Sequence, residues 1–204
     1  MTPAEQRESN RLCLLVIVLG AVALLAVWLN SEANTRPWLL VYGDSIVEGH
    51  GVPEPWPALL RAQADAKSGR ALVDDPGAAA RIASAQPTVA WIAIGTNDYG
   101  KSKAGPKEFG EAYARLVDEL HAASPGTAVY AQTPLVRAND GANKLGAYLW
   151  EYRSAIATVC RDRQWLTCVN GEKILTLADM PDGLHPGAGS QRRYADFVRM
   201  EMIP

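Results

Sequence analysis

The chain has 204 residues, room for one ordinary domain and a short appendage. Hydrophobic residues make up 48% and charged residues 21%, which excludes disordered and collagen-like chains. Twenty Lys+Arg against 22 Asp+Glu leave a net charge of −2, no electrostatic footprint for nucleic acid. Three cysteines exclude a disulfide-built scaffold. The mean hydropathy of −0.08 averages two unlike parts.

Residues 1–11 form a short polar segment, and residues 12–29 (LCLLVIVLGAVALLAVWL) then run without a charge. As a helix this stretch would be about 27 Å long, close to the roughly 30 Å hydrocarbon core of a bilayer. A transmembrane signal anchor is therefore expected, because secretory h-regions are shorter, about 7–15 residues. Ser31-Glu32-Ala33 places small residues where a signal peptidase cuts, so secretion after cleavage near Ala33 is the alternative. Arg7 and Arg11 before the segment against Arg36 after it favour a cytoplasmic N-terminus. Both readings export the remainder to the periplasm or the cell exterior. Residues 30–37 (NSEANTRP) read as a linker and 38–204 as one domain.

Within that domain, residues 38–42 are a continuous apolar run ending at Gly43, the pattern of a buried parallel strand. Residues 71–73 form a weaker run, and 89–94, 128–131 and 165–169 three stronger ones. Phe109, Tyr113, Leu116, Val117 and Leu120 recur at helical spacing between Pro106 and Pro125-Gly126. Leu149, Tyr152, Ile156 and Val159 make a second stripe, and Tyr194, Phe197 and Val198 a third. Strand and helix in alternation imply an α/β fold, a parallel sheet of about five strands covered on both faces. In such sheets ligands bind beyond the carboxyl ends of the strands.

Reactive residue types fall at those ends. The first strand runs into Gly43-Asp44-Ser45, which places Ser45 at the mouth of a helix where free N–H groups favour a developing oxyanion. The run 89–94 leads into Gly95-Thr96-Asn97-Asp98, and Asn97 offers a carboxamide donor of the kind oxyanion holes use. Asp182-Gly183-Leu184-His185 spaces a carboxylate to accept from Nδ1–H of His185, turning Nε2 towards a serine as general base.

Taken together, GDSIVEGHG (43–51), GTNDYG (95–100) and DGLHP (182–186) make the sequence resemble the SGNH, or GDSL-type, hydrolases over nearly all of 38–204. The resemblance implies a flavodoxin-like three-layer α/β/α sandwich and serine acyl-ester hydrolysis without cofactor or metal. It makes Ser45 the nucleophile, His185 the base and Asp182 the orienting acid. The Ser45 backbone N–H, Asn97 and a glycine after the second strand, for which Gly77 is the candidate, would form the oxyanion hole. The segment around Gly77 departs from the family's Asn-x-Gly-x-Ser-Gly style. The substrate implied is a small-molecule ester: a lipid, a thioester or an acetylated glycan. The lysophospholipase/thioesterase-like and carbohydrate O-acetylesterase or acetyl-transferase likenesses pull apart.

His50 is placed near the pocket without a carboxylate to orient it, and His121 at a solvated helix end. Cys160 and Cys168 are either a disulfide or two buried thiols, and Cys13 lies inside the apolar segment. Trp56, Tyr99 and Trp150 are candidate cleft aromatics. Other classes fit less well. A two-metal phosphoesterase needs more ligands than three histidines supply. An α/β-hydrolase needs a second glycine after the nucleophile. The intact Ser45, Asn97, Asp182 and His185 argue against an inactive membrane-tethered binding module.

Overall fold

The computed structural model describes residues 17–22, 25 and 36–202. The chain divides into residues 1–36 and 37–204. In the first part, 17–22 are helical and exposed. The expected membrane segment 12–29, Cys13 and the cleavage site at Ala33 lie wholly or largely outside the described residues. Among the described residues no helix is long and apolar enough to cross a membrane.

In the second part five parallel strands form one sheet: β1 (Leu39–Gly43), β2 (Gln63–Ala66), β3 (Val89–Ala93), β4 (Ala128–Gln132) and β5 (Leu166–Val169). Their order is β2-β1-β3-β4-β5, the doubly wound flavodoxin-like order with its switch point between β1 and β3. Alternation along β1 shows why the sheet has two covered faces. Leu40 and Tyr42 enter one core, Leu39 and Val41 the other. The first core is closed by α3 (Ala78–Ala85), α5 (Pro106–Ala123) and α6 (Leu149–Arg161). The second is closed by α1 (Ser45–Glu48), α2 (Trp56–Leu59) and α7 (Ala188–Glu201). A short helix α4 (Thr96–Gly100) follows β3.

The expected strand at 71–73 is corrected. Leu72–Asp74 is a single 3-10 turn, because the buried Asp98 carboxylate takes the Leu72 and Val73 N–H groups at 3.0 and 3.1 Å. The strand beside β1 is instead Gln63–Ala66, a sheet edge with no fully buried residue. An edge strand exposed on its faces has no apolar run to announce it.

Among the buried polar atoms of the second core, Trp56 Nε1 has no partner, but others are paired across elements. Gln132 Oε1, at the end of β4, accepts from Trp91 Nε1 and from the Tyr194 hydroxyl, both at 2.8 Å. Trp56 is fully buried and stacks on Tyr194 with ring centroids 4.4 Å apart, so it fills the core and does not rim a cleft. Tyr99 is also buried, while Trp150 is 60% exposed on α6. His121 is half-buried against Trp165 at 4.0 Å, not solvated. Cys160 at the end of α6 and Cys168 in β5 are joined as a disulfide, with Cα atoms 5.7 Å apart.

Candidate active site

Three turns at the carboxyl ends of the strands meet at the switch point. At the end of β1, a Cβ on Gly43 would run into the Val47 side chain and come within 2.7 Å of the Ala93 carbonyl. Only glycine lets the chain turn this tightly against β3. Asp44 then caps α1, its Oδ1 accepting from the Ile46 N–H at 3.0 Å. Ser45 follows as the first helical residue, where the backbone N–H has no helical acceptor to meet. The helix is one turn long, so the local N–H, and not a summed dipole, is what this position offers an anion.

The second turn carries His185. Asp182 Oδ1 accepts from the N–H groups of Leu184 at 2.9 Å and His185 at 2.7 Å, and Oδ2 lies 2.7 Å from His185 Nδ1. The His185 backbone N–H, with its ring and the Leu184 N–H, holds the Asp182 carboxyl well below the usual carboxylate range. Gly183 sits between them at φ +77°, where any Cβ would press within 2.7 Å of Ala138 Cβ. His185 Nε2 is then 2.9 Å from Ser45 Oγ. Ser45, His185 and Asp182 are thus one hydrogen-bonded chain, though 140 residues separate its serine from its histidine.

Several contacts support this geometry. Gln191 Oε1 accepts from the Trp56 N–H at 2.9 Å, and its Nε2 donates to the Pro186 carbonyl at 2.8 Å, pinning α7 to the residue after His185. The His50 ring packs on the His185 ring with centroids 4.6 Å apart. Asn97, near the start of α4, donates from Nδ2 to Asp44 Oδ2 at 3.3 Å. Burial pushes the fully buried Asp44 carboxyl up to about 6, against the opposing pull of the Ile46 N–H, His185 and Asn97.

Gly77 stands well past the end of β2 rather than directly after it. It precedes α3, beyond the 3-10 turn. The glycine that follows β2 is Gly69, in a loop fastened to the end of β1: the Lys67 N–H and Arg70 Nη1 both donate to the Gly43 carbonyl, at 3.3 and 3.2 Å. Arg70 also pairs with Asp65 and Asp75, and the Ser68 hydroxyl donates to Glu48 on α1. Gly69 does not stand out in the sequence because β2 carries no apolar run. Among the described residues no three His, Cys, Asp or Glu side chains converge as a metal site.

The sequence pattern around this geometry matches the model of the GDSL-like Lipase/Acylhydrolase family across residues 41–193. The chain belongs to that family. No curated protein sequence matches it. Solved structures share the GDSL-type fold at low identity. A salicylyl-acyltransferase from a tetracycline biosynthetic pathway superposes with a TM-score of 0.68 at 19% identity over 82% of this chain and 54% of its own. The chain thus spans about half the length of that neighbour. TesA gives a TM-score of 0.61 at 20% identity, covering 81% of this chain and 98% of its own. A carbohydrate esterase family 3 protein from Talaromyces cellulolyticus gives 0.60 at 13%, covering 80% and 95%. The structural neighbours therefore include an esterase and an acyltransferase.

Proposed function

We propose that the protein is a serine esterase that cleaves carboxylic esters. The observation that carries the reading is the unbroken chain from Ser45 Oγ through both ring nitrogens of His185 to Asp182. Ser45 Oγ attacks the ester carbonyl carbon while His185 Nε2 takes its proton, and the ionised Asp182 steadies the imidazolium through Nδ1–H. The carbonyl oxygen becomes an oxyanion, received by the Ser45 N–H and by the Asn97 carboxamide hydrogen not given to Asp44. Gly69, the glycine following β2, replaces Gly77 as the third donor in this reading. Collapse breaks the bond to the alcohol, which leaves with the proton from His185. Water, deprotonated by the same imidazole, then releases the acid and frees Ser45.

The uncharged stretch 12–29 tethers the enzyme to a membrane in this reading, with the catalytic part exported. The Cys160–Cys168 disulfide supports export, since such bonds persist in oxidising compartments. The test is labelling of the full chain with a fluorophosphonate, combined with hydrolysis of phenyl acetate. Labelling at Ser45, lost in Ser45→Ala, is expected, with a fall of several orders of magnitude in turnover for His185→Ala. Full turnover in either variant overturns the reading.

A further inference from the structure

Four arginines are half-buried among the described residues: Arg70, Arg137, Arg153 and Arg163. Three of them are neutralised. Arg70 pairs with Asp65 and Asp75, Arg163 with Asp118, and Arg153 with Glu172 while also donating to the Pro134 and Leu135 carbonyls. Arg137 differs. Among the described residues no carboxylate lies within ion-pair distance of it, and its buried Nε has no hydrogen-bond partner. A buried Nε–H left without an acceptor costs free energy, and a group left so calls for a ligand or a water to meet it.

The surroundings of Arg137 belong to the catalytic turns. Its guanidinium carbon lies 5.2 Å from the centre of the Tyr99 ring, a cation–π contact. It also packs on Gly100, where a Cβ would come within 2.7 Å of Nη1. Tyr99 and Gly100 end α4, the helix that bears Asn97. The next residue, Ala138, donates its N–H to the Gly183 carbonyl at 2.8 Å, inside the turn holding Asp182 and His185. The loop is held firmly around the ring: the Tyr99 hydroxyl donates to the Asn139 and Gly141 carbonyls, and Asn143 Nδ2 donates to the Tyr99 carbonyl. Burial raises the Tyr99 hydroxyl, Arg137 opposes that rise and Asp140 adds to it, yet Asp140 does not pair with the arginine. Arg137 is therefore an unpaired, pre-positioned planar fork between the helix of Asn97 and the turn of His185. Such a fork suits two acceptor oxygens of one anion.

We propose that Arg137 is a specificity residue that receives an anionic group, phosphate or carboxylate, carried by the ester substrate. The proposal rests on the serine-esterase reading for the reaction, but anion binding is measurable without it. Calorimetric titration of the full chain with phenyl phosphate and, separately, with benzoate is the first arm. Binding of at least one by the wild type and by Ser45→Ala is expected, weakened about tenfold or more in Arg137→Gln, and the better ligand names the anion. The second arm compares kcat/KM for 4-carboxyphenyl acetate and phenyl acetate. The wild type is expected to prefer the anionic ester by about tenfold, the ratio falling towards one in Arg137→Gln and less far in Arg137→Lys. Failure of the wild type to bind either anion at millimolar concentration overturns the proposal, as does a ratio that Arg137→Gln leaves intact. Because the wild-type measurements decide by themselves, a variant that does not fold leaves the test standing. Anion binding without turnover of either ester would overturn the esterase reading and keep the site; turnover without anion binding would do the reverse.

Discussion

The Asn97 carboxamide donates to the buried carboxylate of Asp44, the residue before Ser45, across 3.3 Å. Asp44 is thus held from two sides, by Asn97 at Oδ2 and by the Ile46 N–H at Oδ1. Those bonds do not fully offset burial, since its carboxyl titrates near 6. A carboxyl raised by folding contributes its full stability below the ordinary value near 3.8 and loses it as pH rises towards 6. Asp44→Asn removes that slope. Relative to wild type, the variant should gain about 3 kcal/mol of unfolding free energy between pH 3.5 and pH 7.5. Urea unfolding at several pH values checks this, and a difference that does not vary with pH contradicts it.

The same contact sets the direction of the Asn97 amide. Asn97→Ala should lower kcat by about 10²–10³-fold with little change in KM, the loss expected for one oxyanion donor. In a double-mutant cycle with Asp44→Ala the two losses should fall well short of additive, because Asp44 acts partly through Asn97. Additive losses would show that the two residues work separately.

Asp98, next along α4, fastens the loop between β2 and α3 through the Leu72 and Val73 N–H groups. Asp98→Ala strands both donors, and Leu72 is buried. A loss of about 3 kcal/mol is expected from two unmet N–H groups, seen as a lower urea midpoint. Proteolysis should cut first between residues 67 and 77.

The disulfide closes a short loop, with eight positions separating Cys160 from Cys168. Loop entropy alone gives about 2–3 kcal/mol. Replacing both cysteines by serine should lower stability by that amount while turnover at 25 °C is retained, since neither cysteine touches Ser45, His185 or Asp182.

Legibility followed burial. β1, β3 and β4 are interior strands whose apolar runs stand out in the sequence, β5 is an edge that still buries Leu166 and Val169, and α5, α6 and α7 show their buried stripes. β2 has none, because Gln63, Ala64, Asp65 and Ala66 sit at an edge. The leucine and valine that looked like its core belong to a turn organised by Asp98, whose acceptor role spans 26 residues and leaves no local pattern. A strand placed at 71–73 makes Gly77 the glycine after it, whereas the first glycine after β2 is Gly69. Ser45, Asn97 and His185 were readable because a tight turn and a short-range carboxylate constrain neighbours in sequence. Arg137 was not, since its isolation is a property of what surrounds it in space.

The serine follows the first strand and the histidine precedes the last helix, 140 positions apart. A partly synthesised chain can form the sheet around β1 and still lack the base that deprotonates Ser45. In the proposed reaction, ester cleavage would report completion of the whole second part of the chain. A molecule stopped short of Pro186, or one whose α7 fails to dock, lacks the assembled chain of Ser45, His185 and Asp182.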